Sequence, residues 1–342
     1  MFNFKNDYST LATKEILEAL SNAKDEVNLC YGDDIHQQKA KKLIKDKFAL
    51  DDGSSIYFVS GGTQANMLVI SFLLRPYEAV FCADTGHINV HETGAVENTG
   101  HKIITCLNEN GKLTDKDILE ALNNHQDNHK VEIKMVYISM STECGTIYTI
   151  KELEKIKKVC ISHNLYLFID GARLATGITS KYGDLSLDKI KDYADVFYIG
   201  GTKGGLLFGE AIVFTKKGMD DHFNYYIKQK GALLAKGFVL GIQFERLFED
   251  DLYLNIGKHS NNLAYYISEN LKKMGVKLQY KTYTNQIFVS LNKDIASKVI
   301  SRYGTELWET HDDKMVIRIV TSYMVSKDEC DELLNYIKKE IS

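Results

Sequence analysis

Three segments place glycine and a polar or charged side chain directly after an apolar run. The first is SGGTQAN, residues 60–66. Gly61 and Gly62 permit a tight turn, and Thr63 and Gln64 then open a helix. Its free N–H groups and positive end would cradle a phosphate. An ordinary glycine-rich strand-to-helix turn accounts for the same residues. The second is FIDGAR, residues 168–173, in which Asp170 ends an apolar strand. A carboxylate there is costly unless paired, so a cationic partner is expected. Capping a helix at 172–176 is the alternative. The third is YIGGTKGG, residues 198–205, in which four glycines flank Thr202 and Lys203. A lysine among small residues admits a planar ligand, and a desolvated lysine can form a Schiff base. A solvated lysine on a hairpin is the plainer reading. A phosphate loop of the GxxxxGK[ST] type is not present.

Together the three are more specific than any one. They run in the order cradle, carboxylate, lysine, with Lys203 33 positions after Asp170. Pyridoxal phosphate needs such a set: a helix start for its phosphate, a carboxylate for its ring nitrogen and a lysine for its aldehyde. His87, in DTGHINVHE, stands after another apolar run and is placed to stack on a ring.

The elements that would position these groups alternate. β-rich runs are expected at 55–59, 79–83, 102–106, 134–140, 165–169 and 196–199. Helical periodicity falls at 14–20, 35–48, 63–74, 114–122 and 150–163. Runs such as VYISM, LYLFI and VFYI are apolar on both faces, as buried parallel strands are. The fold class is therefore α/β, a mostly parallel sheet flanked by helices. The run at 210–215 follows the last of these strands too closely for a crossover and should be antiparallel. After about residue 250 a long helix (253–274) leads into strands at 276–280, 286–291, 305–308 and 315–321, with helices at 293–302 and 327–341. We expect a large α/β domain over 20–250 and a smaller α+β domain over 251–342, completed by residues 1–19.

These motifs identify a resemblance. NDYST near the start, YGDD, GGTQAN, His87 followed by Glu92, DGAR, GGTKGG and IRIVTS together span residues 6–322. The sequence resembles the pyridoxal-phosphate-dependent threonine aldolase and β-eliminating lyase family, most closely its low-specificity L-threonine aldolases. The resemblance implies fold type I with a seven-stranded sheet, and cleavage of a β-hydroxy-α-amino acid to glycine and an aldehyde. It implies that Lys203 forms the Schiff base, Asp170 binds the pyridine nitrogen, and Arg173 lies near the ring hydroxyl. Gly62, Thr63, Gln64 and Thr202 would hold the phosphate, and His87 would stack on the ring. Arg318 would bind the substrate carboxylate with Asn6, which replaces the family's serine. An arginine in the apolar strand VIRIV suits that task, because its planar fork matches a carboxylate; an edge strand facing water is the plainer reading. Tyr31 and Lys236 would reach a neighbouring subunit's site, which implies a homodimer or homotetramer with shared sites. Where many members carry a second histidine, this chain has Glu143, in STECGT; a buried glutamate with a raised pKa could take the hydroxyl proton. The alternatives are β-elimination from another β-substituted amino acid, or a non-catalytic member.

Composition narrows the partners. The chain has 342 residues and a net charge of −4, so no electrostatic footprint for nucleic acid. Only 5 of its 42 basic residues are arginines, which makes each worth inspecting. Six scattered cysteines without CxxC spacing argue for a reducing compartment and against a zinc ribbon. His87 and His91 are four apart but lack a third metal ligand, so no metal is expected. There is no basic-then-apolar leader and no long apolar span, so a cytoplasmic protein without membrane contact is expected. Five of the 24 glycines fall between Gly200 and Gly209, and we read this cluster as room for a flat cofactor.

Overall fold

The computed structural model describes residues 2–341. Seven strands form one sheet: β1 (Ser55–Val59), β2 (Glu78–Ala83), β3 (Lys102–Cys106), β4 (Glu132–Ser139), β5 (Tyr166–Asp170), β6 (Val196–Gly200) and β7 (Glu210–Phe214). Their order is β1-β7-β6-β5-β4-β2-β3. β7 runs antiparallel to both β1 and β6, and the other neighbours pair in parallel. Six strands therefore end on one edge, where open sheets of this kind bind ligands. The central strands are buried on both faces: Val136–Ile138, Leu167–Ile169 and Val196–Ile199 are all inaccessible. This is the burial that their unbroken apolar sequence requires.

Local signals set the helices around this sheet. Helix Ile35–Lys47 is capped by Asp34, whose carboxylate accepts the Gln37 N–H at 2.7 Å. Helix Ile150–Ser162 opens with a reciprocal capping box between Thr149 and Glu152. Helix Gly62–Leu73 starts directly after β1.

A second, antiparallel sheet has the order β10-β11-β9-β8, built from β8 (Lys277–Leu278), β9 (Gln286–Asn292), β10 (Glu306–Thr310) and β11 (Lys314–Val320). Helices Leu252–Lys273, Lys293–Tyr303 and Lys327–Ile341 accompany it. Leu263, Ile267, Ile287, Val289, Ile317 and Leu333 close one core there, and Phe4 joins it. Phe4 donates its N–H to the Tyr303 carbonyl and accepts from Val320 N–H, tying the start of the chain to this layer. The strand expected at 276–280 shrinks to two residues, because it is an edge strand that follows the left-handed turn at Gly275. Among the described residues no helix is long and apolar enough to cross a membrane. The six cysteines are unbridged.

Candidate active site

The ends of β1, β2, β4, β5 and β6 bring most of the sequence-selected residues to one edge. After β1, the first-turn N–H groups of helix Gly62–Leu73 have no partner within the helix. Gln64 folds its side chain back, and its carbonyl accepts both the N–H and the hydroxyl of Ser60, at 3.1 and 3.0 Å. The backbone N–H groups of Gly62, Thr63 and Gln64 stay available for an anion. A Cβ on Gly61 would meet nothing within 4 Å, so the cradle is open on that side.

Asp170 ends β5 and is 3% exposed. Its carboxylate accepts the hydroxyls of Tyr137 and Tyr198, the Asn66 amide at 3.2 Å and the Ala172 N–H at 2.9 Å. The expected lysine or arginine partner is absent from this set. Four neutral donors hold the carboxylate instead, and leave it ready for a cation brought by a ligand. Burial pushes its pKa up, but the nearby His87 and the hydrogen bonds from the two tyrosines and Ala172 outweigh that and hold it below the usual range.

Lys203 follows β6 in a one-turn 3-10 segment, Thr202–Gly204. Burial, then the positive charge of Arg173, lower its pKa, while Asp7, Asp170 and Glu210 act the other way. Its Nζ lies 5.6 Å from the centre of the Tyr8 ring. The glycines around it are spent differently than expected. A Cβ on Gly200 would come within 2.2 Å of the Ala172 carbonyl oxygen, and one on Gly201 within 2.5 Å of that of Gly209. Gly205 has φ +95°. These residues let backbone pack on backbone and turn; of the cradle glycines, Gly62 packs against the Tyr198 hydroxyl and Gly61 faces open space.

His87 begins the short helix after β2. Its Nδ1 lies 2.8 Å from Glu92 Oε1, which also accepts the Asn66 amide at 2.7 Å. A carboxylate only accepts, so Nδ1 carries the proton and the ring is fixed. Asn66 thereby links His87, through Glu92, to Asp170. His91 packs beside it with ring centres 5.4 Å apart. Burial, then His87 and Arg318, keep the His91 imidazole below its usual pKa. No metal-binding group of three ligands occurs among the described residues. Glu143, after β4, accepts the His87 N–H at 3.1 Å and the Ser139 hydroxyl at 2.8 Å. Burial, then Asp170, raise its pKa.

Arg173 forms a two-toothed pair with Asp7, at 2.8 and 3.0 Å, and Asn285 donates to the same carboxylate at 3.0 Å. Burial works to raise the Asp7 pKa, but Arg173, Lys203 and Asn285 hold it below 3.8. The adjoining Asn6 uses its carbonyl to accept the Tyr8 N–H at 3.2 Å. Sequence reasoning passed over Asp7, although it lies beside Asn6 in the NDYST motif. A depressed folded-state pKa gives stability that is complete above the unfolded value and lost as pH falls through the folded one. Asp7→Asn should therefore remove part of the acid limb of the stability curve below about pH 4 and cost about 3–5 kcal/mol at neutral pH, because it strands a buried guanidinium. Denaturant unfolding from pH 3 to 7 checks both; a parallel shift at every pH would refute the linkage.

Arg318 lies on an interior strand, between β10 and β9, so the edge-strand reading falls. Nor is it a free cation. It is ion-paired to Glu306, its cross-strand neighbour, and donates to Gln286 Oε1 at 3.2 Å. Its Nε is buried without a partner. Tyr31 and Lys236 lie elsewhere on the surface. Tyr31 has φ +58°, donates its N–H to the Ala235 carbonyl at 3.1 Å, and sits under Lys228 Nζ at 4.0 Å. The two segments meet each other, and neither side chain is hydrogen-bonded to the Lys203 cluster.

Tyr137, Tyr198, Asn66 and Glu210 were also missed. The tyrosines read as apolar filler, and the only signal was a hydroxyl in each strand flanking β5. The assembled groups fit pyridoxal phosphate: an open N–H cradle, a dry carboxylate held by neutral donors, and a desolvated lysine in the field of that carboxylate.

Comparison with known proteins agrees. The profile of the beta-eliminating lyase family matches residues 3–294. The low specificity L-threonine aldolase of Pseudomonas aeruginosa is 30% identical over 85% of this chain and 84% of its own. That of Candida albicans is 24% identical over 96% and 87%. The solved threonine aldolase of Leishmania major is 39% identical, superposes with a TM-score of 0.98 and covers both chains completely. The aspartate aminotransferase of Thermotoga maritima, 16% identical, shares the fold at a TM-score of 0.72 over 99% and 91%. The chain belongs to the beta-eliminating lyase family, and its fold is the aminotransferase-like fold type I.

Proposed function

We propose that this chain is a pyridoxal-phosphate-dependent aldolase that splits L-threonine or L-allo-threonine into glycine and acetaldehyde. The observation that carries the choice is His87. Its Nδ1–H is spent on Glu92, so Nε2 offers a lone pair to a substrate hydroxyl. The backbone cradle at Gly62, Thr63 and Gln64 and the hydroxyl of Thr202 would hold the phosphate, and Lys203 the aldehyde carbon. Arg173 would lie at the ring hydroxyl, where Asp7 fixes its guanidinium. When bound, the cofactor supplies an electron sink for the pair left at Cα. Asp170 keeps a proton on the ring nitrogen. Arg318 and the Asn6 amide would bind the α-carboxylate and so orient the Cα–Cβ bond for cleavage. His87 Nε2, with the neutral His91 beside it, takes the hydroxyl proton as the bond breaks.

β-Elimination is favoured by one observation, the buried Glu143 with its raised pKa, which suits a proton donor to a leaving group. Products distinguish the two. Threonine, allo-threonine and phenylserine should each yield glycine and an aldehyde. Ammonia and a keto acid from β-substituted amino acids, without glycine, would refute the aldolase reading.

Residues 20–250 are read as the cofactor domain, and 251–342 with 1–19 as the smaller unit bearing Arg318 and Asn6. In a cytoplasmic homodimer or homotetramer, the joined Tyr31 and Lys236 segments would face a partner's cofactor. The pairing of Arg318 adds a prediction. A substrate carboxylate must compete with Glu306, a half-exposed side chain. Glu306→Gln should lower KM a few-fold, on the order of 1 kcal/mol, with kcat unchanged. A raised KM would show that Glu306 orients Arg318 rather than competing for it.

A further inference from the structure

Glu210 has no part in the steps above, yet it is a buried acid, 4% exposed, next to the catalytic lysine. On β7 it lies opposite Gly200 of β6 on one side and Val59 of β1 on the other. It therefore sits between the strand ends that carry Thr202 and the phosphate cradle. Its Oε2 accepts the Gly201 N–H at 2.8 Å. The Thr202 hydroxyl is hydrogen-bonded to the same carboxyl group. Thr202 Oγ1 in turn accepts the Gly209 N–H at 3.0 Å.

A threonine hydroxyl has one proton and two lone pairs. Gly209 occupies one lone pair. While Glu210 is ionised it can only accept, so the Thr202 proton points at Glu210 and away from the cradle. Once Glu210 is protonated, its O–H can donate to the second lone pair of Thr202. The Thr202 proton is then free for a phosphate oxygen. We propose that Glu210 carries a proton in the cofactor-bound enzyme, and that Glu210, Thr202 and the cofactor phosphate form one directed chain of donors. The inference rests on the reading of Thr202 as a phosphate ligand.

The surroundings allow this protonation. Burial lifts the Glu210 carboxyl to about 7, against the hydrogen bonds from Thr202 and Gly201 and the charge of Lys203. The charged and titratable groups facing it are Lys203 after β6, Asp170 on β5, Tyr198 on β6 and Tyr253 on helix Leu252–Lys273. Burial pushes both tyrosines up, so they stay neutral. Asp170 stays ionised, and its charge favours the neutral acid at Glu210. A phosphate dianion arriving at Thr202 adds negative charge and favours it further. The proton comes from solvent, so binding of the cofactor should take up a proton above pH 7.

Calorimetric titration of the apoprotein with pyridoxal phosphate at pH 8, in buffers of different ionisation enthalpy, counts that proton. Wild type should take up about one proton more than Glu210→Gln, whose amide donates to Thr202 without titrating. Thr202→Val cuts the chain without touching Glu210. It should bind pyridoxal phosphate more weakly and lose the same proton, so the test survives a misfolded Glu210→Gln. Above pH 7 the wild-type affinity should fall by up to about tenfold per pH unit relative to Glu210→Gln. Pyridoxal, which lacks the phosphate, should show no such difference. Equal proton uptake by wild type and Glu210→Gln would overturn the proposal. Unchanged pyridoxal phosphate affinity in Thr202→Val would overturn the phosphate reading of Thr202, and the proposal with it.

Discussion

Lys203→Ala should abolish covalent cofactor capture and lower turnover by at least about 10³-fold. The size follows from two losses at once. The amine that would attach the cofactor aldehyde disappears, and so does a buried amine in the field of Asp170 that burial shifts toward its neutral, nucleophilic form. Burial and Arg173 already destabilise the ammonium form, which favours the neutral amine relative to a solvated lysine. Removing it relieves a buried cation rather than stranding one, and the fold should tolerate the change. Pyridoxal phosphate should still bind non-covalently through the cradle after β1. The expected signature is a protein with unchanged circular dichroism from which denaturation releases all of the cofactor, even after borohydride treatment. Cofactor fixed to the variant by borohydride would remove Lys203 from its role.

The chemistry of this edge was legible where one short segment carried the whole signal. SGGTQAN, Asp170 and Lys203 each follow an apolar run, and the run alone tells that the residue stands at a strand end. β7 was legible as antiparallel because the chain from Gly200 to Glu210 is too short for a crossover. What stayed hidden needs two distant segments. Asp7 meets Arg173 across 166 residues. Tyr137 and Tyr198 flank Asp170 only because β4, β5 and β6 are neighbours in that order. Glu306 opposes Arg318 only through the register of β10 on β11. The glycines misled for a related reason: a close approach of backbone to backbone leaves the same residue in the sequence as a close approach of backbone to ligand.

The hydroxyl and amide donors around Asp170 make its replacement informative beyond the loss of a charge. Asp170→Asn should reduce kcat by about 10²–10⁴-fold, the range for removing a preorganised electrostatic partner or a positioned acid–base group. Asparagine cannot keep a proton on the ring nitrogen by charge, so the bound ring becomes a weaker electron sink. It also disturbs the apoprotein. Both Asp170 oxygens face donors: Tyr198 and Ala172 on one, Tyr137 and Asn66 on the other. An amide has only one oxygen, so its NH₂ must face one of these donor pairs. A tyrosine hydroxyl can rotate, but the Ala172 N–H and the Asn66 amide are committed, and a cost of about 1–3 kcal/mol is expected. Asp170→Ala should cost a similar amount by leaving buried donors unsatisfied, but without the repulsion. The two effects separate by measurement. Thermal melting of the apoproteins reads the donor clash, and the ¹⁵N shift of ring-labelled pyridoxal phosphate reads the proton on its nitrogen. A ring nitrogen that stays protonated in Asp170→Asn, with kcat near wild type, would mean that another group supplies the charge. That group would have to be an anion, and Glu92, joined to Asp170 through the Asn66 amide, is the carboxylate placed for it. Glu92→Gln in the Asp170→Asn background would then remove the ring-nitrogen proton that remained.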